Sequence, residues 1–123
     1  MKTTVRIGEA IYSILKPFKR VYPLVADEGT TFPFIVYKRS SGNSQSDKDG
    51  LYSAIAVIDI MVAASEYEDG VELADKVIKK MENTNDTIAG FDILEIRMID
   101  SNENFVENTF IQEMRFQVEF STH

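Results

Sequence analysis

Hydrophobic residues recur at helical spacing in two segments of the chain, residues 4–16 and 65–81. An apolar residue every three or four positions is the period of a helix that buries one face. The first stripe is Ile7, Ile11, Ile14 and Leu15, and the second is Tyr67, Val71, Ala74, Ile78 and Met81. We expect Thr3 or Thr4 to cap the first helix and Pro17 to end it, because the residue before a proline disfavours helical dihedral angles.

The second helix carries further signals along its length. Ser65 followed by Glu68 is a capping-box pattern, and acidic residues precede lysines along the segment, as the helix dipole favours. Gly70 lies inside this helix, although a glycine there costs about 1 kcal/mol relative to alanine. We interpret Gly70 as a point of close packing.

Strand-like apolar patterns occur in five segments, which are residues 20–25, 33–40, 51–65, 91–100 and 108–120. In the last segment apolar and polar residues alternate, which is typical of a sheet with one face in water. The element order is therefore α-β-β-β-α-β-β. It predicts a single α+β domain over residues 1–123, in which two helices pack on one face of a mostly antiparallel or mixed sheet of about five strands.

The strands at 33–40 and 51–64 are apolar on both of their faces. Two helices with one apolar stripe each can cover only one face of a sheet, so we expect a subunit interface on part of this hairpin. The candidate interface residues are Ile35, Tyr37, Ile55, Val57 and Met61. The alternative is that the N-terminal helix or a folded-back loop covers these positions within one chain.

The overall charge limits the classes of partner. The formal net charge is −7 over 123 residues, so the average surface repels duplex DNA, whose binding draws affinity from neutralised phosphates. Basic residues cluster near the expected ends of the helices, where they complement the helix dipole. No apolar run approaches the roughly 18 residues of a membrane helix, and residues 1–10 lack the apolar stretch of a signal peptide. We therefore expect neither membrane association nor secretion by that route.

Candidate catalytic groups are few. The sequence has no Cys, and its single His is the last residue, His123, so thiol nucleophiles, thiolate metal sites and an anchored Ser-His-Asp triad are not expected. No glycine-rich phosphate loop is present. Asp59, the one charge inside the third strand, is either a base that works with a second carboxylate in a minor enzyme, or the ion-pair partner of a neighbouring Arg or Lys. We predict no enzyme activity, no cofactor and no metal.

The segment RVYPLVADEGTTFPFIVYKR, residues 20–39, resembles the tail-completion, or tail-terminator, family of long-tailed bacteriophages and prophages. In that family a Val-Tyr-Pro strand leads through a variable acidic or Gly turn to a Phe-Pro pair and an aromatic-aliphatic strand. The matching residues are Val21, Tyr22, Pro23, Phe32, Pro33, Phe34, Val36 and Tyr37. VIDIMVAASEYEDGVELADKVIKKME is similar to the long strand and helix of that family, and FIQEMRFQVEF to its closing strand.

The resemblance implies an architectural role. Such proteins form a ring, typically of six copies, which caps the tail tube at its head-proximal end, stops tail polymerisation and helps to join the tail to the head. The implied partners are other copies of the chain, the tail tube protein and head connector proteins, with DNA passing through the ring without sequence-specific binding. The implied location is the virion tail, assembled in the bacterial cytoplasm.

Two polar connections, residues 40–50 and 101–107, are expected to order against a neighbouring copy or to project toward the lumen of such a ring. The candidate assembly residues in them are Ser44, Gln45, Asp47, Lys48, Asn102, Asn104 and Phe105. For residues 40–50 the alternative is a flexible, solvated loop.

A second interpretation of the whole chain is a small host-encoded module without catalytic activity, which binds a ligand or a protein through the same apolar hairpin. It predicts a stable monomer or dimer with a pocket and no ring.

Overall fold

A computed structural model describes residues 3–46 and 52–121. The described residues form two α-helices and six strands, which we number in chain order. The elements are α1 (Gly8–Leu15), β1 (Val21–Pro23), β2 (Phe34–Ser46), β3 (Tyr52–Ala64), α2 (Tyr67–Glu82), β4 (Thr87–Ile88), β5 (Phe91–Val106) and β6 (Thr109–Ser121). The predicted α+β class and element order are confirmed, and the short β4 raises the strand number from about five to six.

The six strands form one mixed sheet in the order β1-β2-β3-β6-β5-β4. β1 runs parallel to β2, and the other neighbouring strands are antiparallel. The sheet therefore ends at β1 on one side and at the β5–β4 pair on the other.

Both helices pack on one face of the sheet and form the core there. Large side chains from the helical segments and from the strands are fully buried together, including Ile7, Ile11, Leu15, Met81, Phe91, Phe116 and Phe120. Burying a side chain of this size contributes about 1.5–3 kcal/mol relative to exposure. In α2, Ala74 and Met81 are buried as predicted, whereas Tyr67 at the first turn is 45% exposed.

The predicted helix caps are wrong at both helices. A 3₁₀ turn at Thr4–Arg6 precedes α1, and its N–H groups bond to backbone carbonyls rather than to a threonine side chain. Before α2 the cap position is Glu66, which has extended backbone angles and makes no side-chain cap bond. Since this position lies one residue beyond Ser65, the capping-box spacing does not match the helix start. Pro17 lies in a 3₁₀ turn, Lys16–Phe18, that follows α1.

The prediction that the two polar connections are loops is wrong for the residues that the structure describes. β2 continues to Ser46, and β5 continues to Val106, where Glu107 and Asn108 form the turn with positive φ. Polar residues here pair with the neighbouring strand, as in the pairs Asn43 with Ile55 and Asn104 with Ile111. A partner strand thus outweighs the weak strand propensity of Ser, Asn and Gly.

Candidate assembly surface

The sheet face opposite the helices, which we call the open face, carries both apolar and charged side chains. In β3 the side chains of Ile58, Ile60 and Val62 are buried under the helices. Because side chains alternate along a strand, Val57 and Met61 lie on the open face, where they are only partly buried. Neither of the two helices of the described residues covers this face.

The predicted interface residues are divided between the two faces. Ile35 and Tyr37 lie in the core beneath α1, with 0% and 7% exposure. Burial, followed by the nearby Tyr12, raises the pKa of the Tyr37 hydroxyl. The N-terminal helix therefore covers these two positions, which was the alternative left open by the sequence.

The other three predicted interface residues, Ile55, Val57 and Met61, lie together on the open face of β3. Val36 is paired with Met61 across the β2–β3 ladder and shares that face. The apolar part of the open face therefore contains Val36, whereas the sequence pattern suggested its neighbours Ile35 and Tyr37. Which alternating set faces the helices depends on strand register, and no local signal in β2 specifies it.

A row of alternating charges crosses the open face. Lys38, Asp59, Arg115 and Asp100 occupy neighbouring positions on β2, β3, β6 and β5. Arg115 Nε donates to Asp59 Oδ1 at 2.8 Å. The pKa of Arg115 is raised, chiefly by this hydrogen bond and the charge of Asp59, with a smaller contribution from Asp100. The structure thus confirms an ion pair as the setting of Asp59.

A concavity of about 630 Å³ lies between the open face and the chain that follows β1. Leu24, Val25, Phe34, Val36 and Met61 form its apolar lining, beside the charged row. Leu24 and Val25 are 71% and 74% exposed, and Leu24 has a φ of 65°. A non-glycine residue with positive φ is strained, so the fold holds Leu24 in this exposed position at a cost.

Hydrogen bonds fix the chain around this concavity. The Leu24 N–H donates to the Tyr37 carbonyl at 2.9 Å. The hydroxyls of Tyr22 and Thr30 are 2.6 Å apart, and Arg20 Nε donates to the Pro33 carbonyl at 2.9 Å. These bonds therefore connect the Val-Tyr-Pro strand, the Phe-Pro segment of the sequence resemblance and the loop that joins them.

The candidate assembly residues fall in three places. The backbone of Ser44 and Gln45 lies in β2, whereas Asp47 and Lys48 lie outside the described residues. The remaining three are exposed on the β5–β6 hairpin, namely Asn102, Asn104 and Phe105. The structure thus places Asn102, Asn104 and Phe105 in β5 near the turn of the β5–β6 hairpin, and the backbone of Ser44 and Gln45 in a different strand.

An aromatic and acidic cluster on the same hairpin was not predicted. The centroids of the Phe105 and Phe110 rings are 4.7 Å apart, and Tyr67 packs edge-on against Phe110. Glu103 accepts hydrogen bonds from Gln112 at 2.8 Å and from the Tyr67 hydroxyl at 2.9 Å. The bonds from Gln112 and Tyr67 lower the pKa of Glu103, and Glu103 raises the pKa of Tyr67. Only the cross-strand pair Phe105–Phe110 had a sequence signal, since both lie beside a hairpin turn.

None of the helices in residues 3–46 and 52–121 has the length and apolar content to cross a membrane.

Comparison with known proteins adds a fold relationship. No protein family model matches the sequence, and no curated protein sequence matches it. Among solved structures, a chain from a structure described as the virion of a native gene transfer agent particle superposes with a TM-score of 0.64. The match covers 90% of this chain and 84% of that chain, at 13% identity. At this identity the likeness shows a shared fold.

Proposed function

We propose that the protein is a structural component of a phage-type virion and has no catalytic role. More specifically, we propose that it caps the tail tube at its head-proximal end, stops tail polymerisation and helps to join the tail to the head. The shared fold with a chain of a gene transfer agent virion supports the first statement. The resemblance of residues 20–39 to tail-terminator proteins supports the second.

The observation that carries the proposal is the open face, which neither helix of the described residues covers. It combines apolar side chains of β2 and β3 with a charged row that crosses four strands. An apolar patch rimmed by polar residues is characteristic of a protein–protein contact. A cyclic ring needs heterologous contacts, in which two different surfaces of one chain meet, and the open face supplies one such surface.

The proposal is tested by assembling tails without the protein and with purified protein present during polymerisation. Tails assembled with the protein are expected to be of uniform length and to join to heads, with a ring visible at one end by negative-stain electron microscopy. Light scattering of the free protein over a wide concentration range shows whether the ring forms in advance or only on the tail. The proposal is wrong if the protein neither binds such tails nor changes their length.

The concavity beside Leu24 favours a second candidate, a ligand- or protein-binding module without catalytic activity. A volume of about 630 Å³ lies within the range of small-molecule pockets. This candidate predicts a stable monomer or dimer, together with a ligand whose binding shifts the NMR signals of Val36 and Met61. Genes for phage morphogenesis beside the coding sequence would favour the virion proposal over this one.

A further inference from the structure

The two ends of the sheet carry opposite charge. Residues 16–46, which include β1, β2 and the loop between them, contain five basic residues and two acidic ones, Asp27 and Glu28. Residues 91–107, which form β5 and its turn, contain five acidic residues and one basic one. We call these the basic edge (Lys16, Lys19, Arg20, Lys38 and Arg39) and the acidic edge (Asp92, Glu95, Asp100, Glu103 and Glu107); all ten side chains are exposed.

The strand order places these two groups of charges near opposite ends of the sheet, with Lys38 and Asp100 both lining the concavity on the open face. The residues of the basic edge lie on or beside β1 and β2, at one end of the sheet, and those of the acidic edge lie on β5 and its turn, at the other. β1 pairs with β2 only as far as Tyr37, and β4 pairs with β5 only at Phe91 and Asp92. Lys38 and Asp100 therefore lie at strand edges that no other described strand covers.

The charged row on the open face ends at these two edges. From β2 to β5 its signs are positive, negative, positive and negative, with Lys38 at one end and Asp100 at the other. Neither end residue forms a salt bridge within the described residues. If β5 of one copy lies beside β2 of the next, the alternation continues across the contact with Asp100 facing Lys38.

We propose that copies of this chain associate head to tail, with the acidic edge of one copy on the basic edge of the next. The proposal rests on the proposed ring function, and it places the contact between copies at the two edges that border the open face. Charge complementarity between the two ends selects a second copy as the occupant, because a heterologous contact joins two different patches. A two-fold contact through either edge alone would place like charges together, which is unfavourable.

Hydrogen bonds along β5 indicate that side chains make this contact rather than a continued strand ladder. Asp100 Oδ1 accepts the Ser101 N–H, and Asn104 Oδ1 accepts the Phe105 N–H, both at 2.9 Å. Glu82 accepts the Met98 N–H at 3.1 Å. N–H groups that are already bonded are poor donors to an added strand. A carboxylate accepts several hydrogen bonds, so Asp100 can still receive a lysine.

The test uses charge reversal at each edge. The basic-edge variant is Lys38→Glu/Arg39→Glu, and the acidic-edge variant is Glu95→Lys/Asp100→Lys. The matched control, Lys76→Glu/Lys80→Glu, reverses two exposed charges on α2 that belong to neither edge. Mass is measured by sedimentation and light scattering in about 0.01 M salt, where the Debye length is roughly 30 Å. Circular dichroism establishes whether each variant is folded. If the basic-edge variant does not fold, Lys38→Gln takes its place, and if the acidic-edge variant does not fold, Asp100→Asn does.

We expect each edge variant to associate about tenfold or more weakly than the wild-type protein, and the control to associate as the wild type does. A 1:1 mixture of the two edge variants is expected to recover association, because the unchanged acidic edge of one variant meets the unchanged basic edge of the other. The mixture contains the wild-type contact, so this recovery is expected only at concentrations at which the wild-type protein itself associates, and added salt is expected to abolish it.

The inference is overturned if the mixture does not associate, or if either edge variant associates as the wild type does. Binding to unterminated tails is measured on the same variants and separates the two proposals. Edge variants that self-associate normally but no longer cap tails would assign the edges to another virion protein. Edge-dependent association of a protein that never binds tails would retain the head-to-tail contact and remove the tail function.

Discussion

At the scale of single residues, Gly42 shows how one missing side chain shapes the N-terminus. A Cβ atom at this position in β2 would lie 2.6 Å from the Cβ and the hydroxyl oxygen of Thr4. The N-terminal 3₁₀ turn therefore crosses β2 in van der Waals contact. An isolated glycine in a strand indicates such a close approach, but not which segment makes it.

We expect Gly42→Ala to displace the N-terminal turn and to lower the free energy of unfolding by about 1–3 kcal/mol, as overpacking does. Urea denaturation measures this loss. Asn43→Ala, on the neighbouring exposed residue, is the control and is expected to change stability little. Combining Gly42→Ala with Thr4→Gly is expected to restore most of the loss, and a failure to do so would contradict the assigned contact.

Glu103 gives a pH-dependent prediction at the same scale. Hydrogen bonds from Gln112 and Tyr67 lower its pKa below the ordinary value of 4.5. Because the folded-state pKa is the lower one, the stabilisation from these bonds is complete above pH 4.5 and is lost as the pH falls through the folded-state pKa. We expect the carboxyl ¹³C signal of Glu103 to titrate below 4.5.

Tyr67→Phe separates the contribution of one donor to this shift. The variant keeps the aromatic ring against Phe110 and removes the hydroxyl that donates to Glu103. The Glu103 titration is expected to move up toward its ordinary value while the hairpin stays folded. An unchanged midpoint would show that Gln112 alone holds the carboxylate.

At the scale of elements, β2 and β5 are both longer than their apolar content predicts. Each has an apolar half and a polar half, and the polar half is a strand because a neighbouring strand supplies hydrogen bonds along its full length. The predicted boundaries near residues 40 and 100 coincide with register shifts between Arg39 and Ser41 and between Met98 and Asp100. The change in composition is therefore visible in the sequence, but it marks a β-bulge and not the end of a strand.

The ion pair between β3 and β6 is expected to couple these strands weakly. A double-mutant cycle with Asp59→Asn and Arg115→Gln is expected to show a favourable interaction in low salt, measured by urea denaturation. The interaction is expected to vanish near 1 M salt, where the Debye length is about 3 Å, because both side chains are partly exposed. A coupling energy that does not depend on salt would contradict this account.

At the scale of the whole molecule, the two faces of the sheet predict opposite outcomes for two nearby substitutions. Tyr37→Ala removes a core side chain beneath α1 and is expected to cost about 3 kcal/mol or more in stability. Val57→Glu places a charge on the open face and is expected to change stability by about 1 kcal/mol or less. Thermal denaturation distinguishes the two variants.

Assembly is expected to respond in the opposite order. Val57→Glu is expected to abolish ring formation or tail capping, since it charges the apolar part of the open face. The less severe core substitution Tyr37→Phe keeps the aromatic side chain in the core. This variant is expected to assemble normally. Normal assembly of Val57→Glu, with folding intact, would count against the open face as the assembly surface.

The two helices, the alternation of the final strand, and therefore the α+β class follow from local periodicities of side chains that the sequence already shows. The sequence also shows that β2 and β3 are apolar in both alternating sets, from which we predict an interface. That Ile35 and Tyr37 face the helices while Val36 and Met61 face outward is visible only in the folded chain, because strand register is a non-local property. Likewise, charges that are scattered along the chain become a basic and an acidic edge only through the strand order.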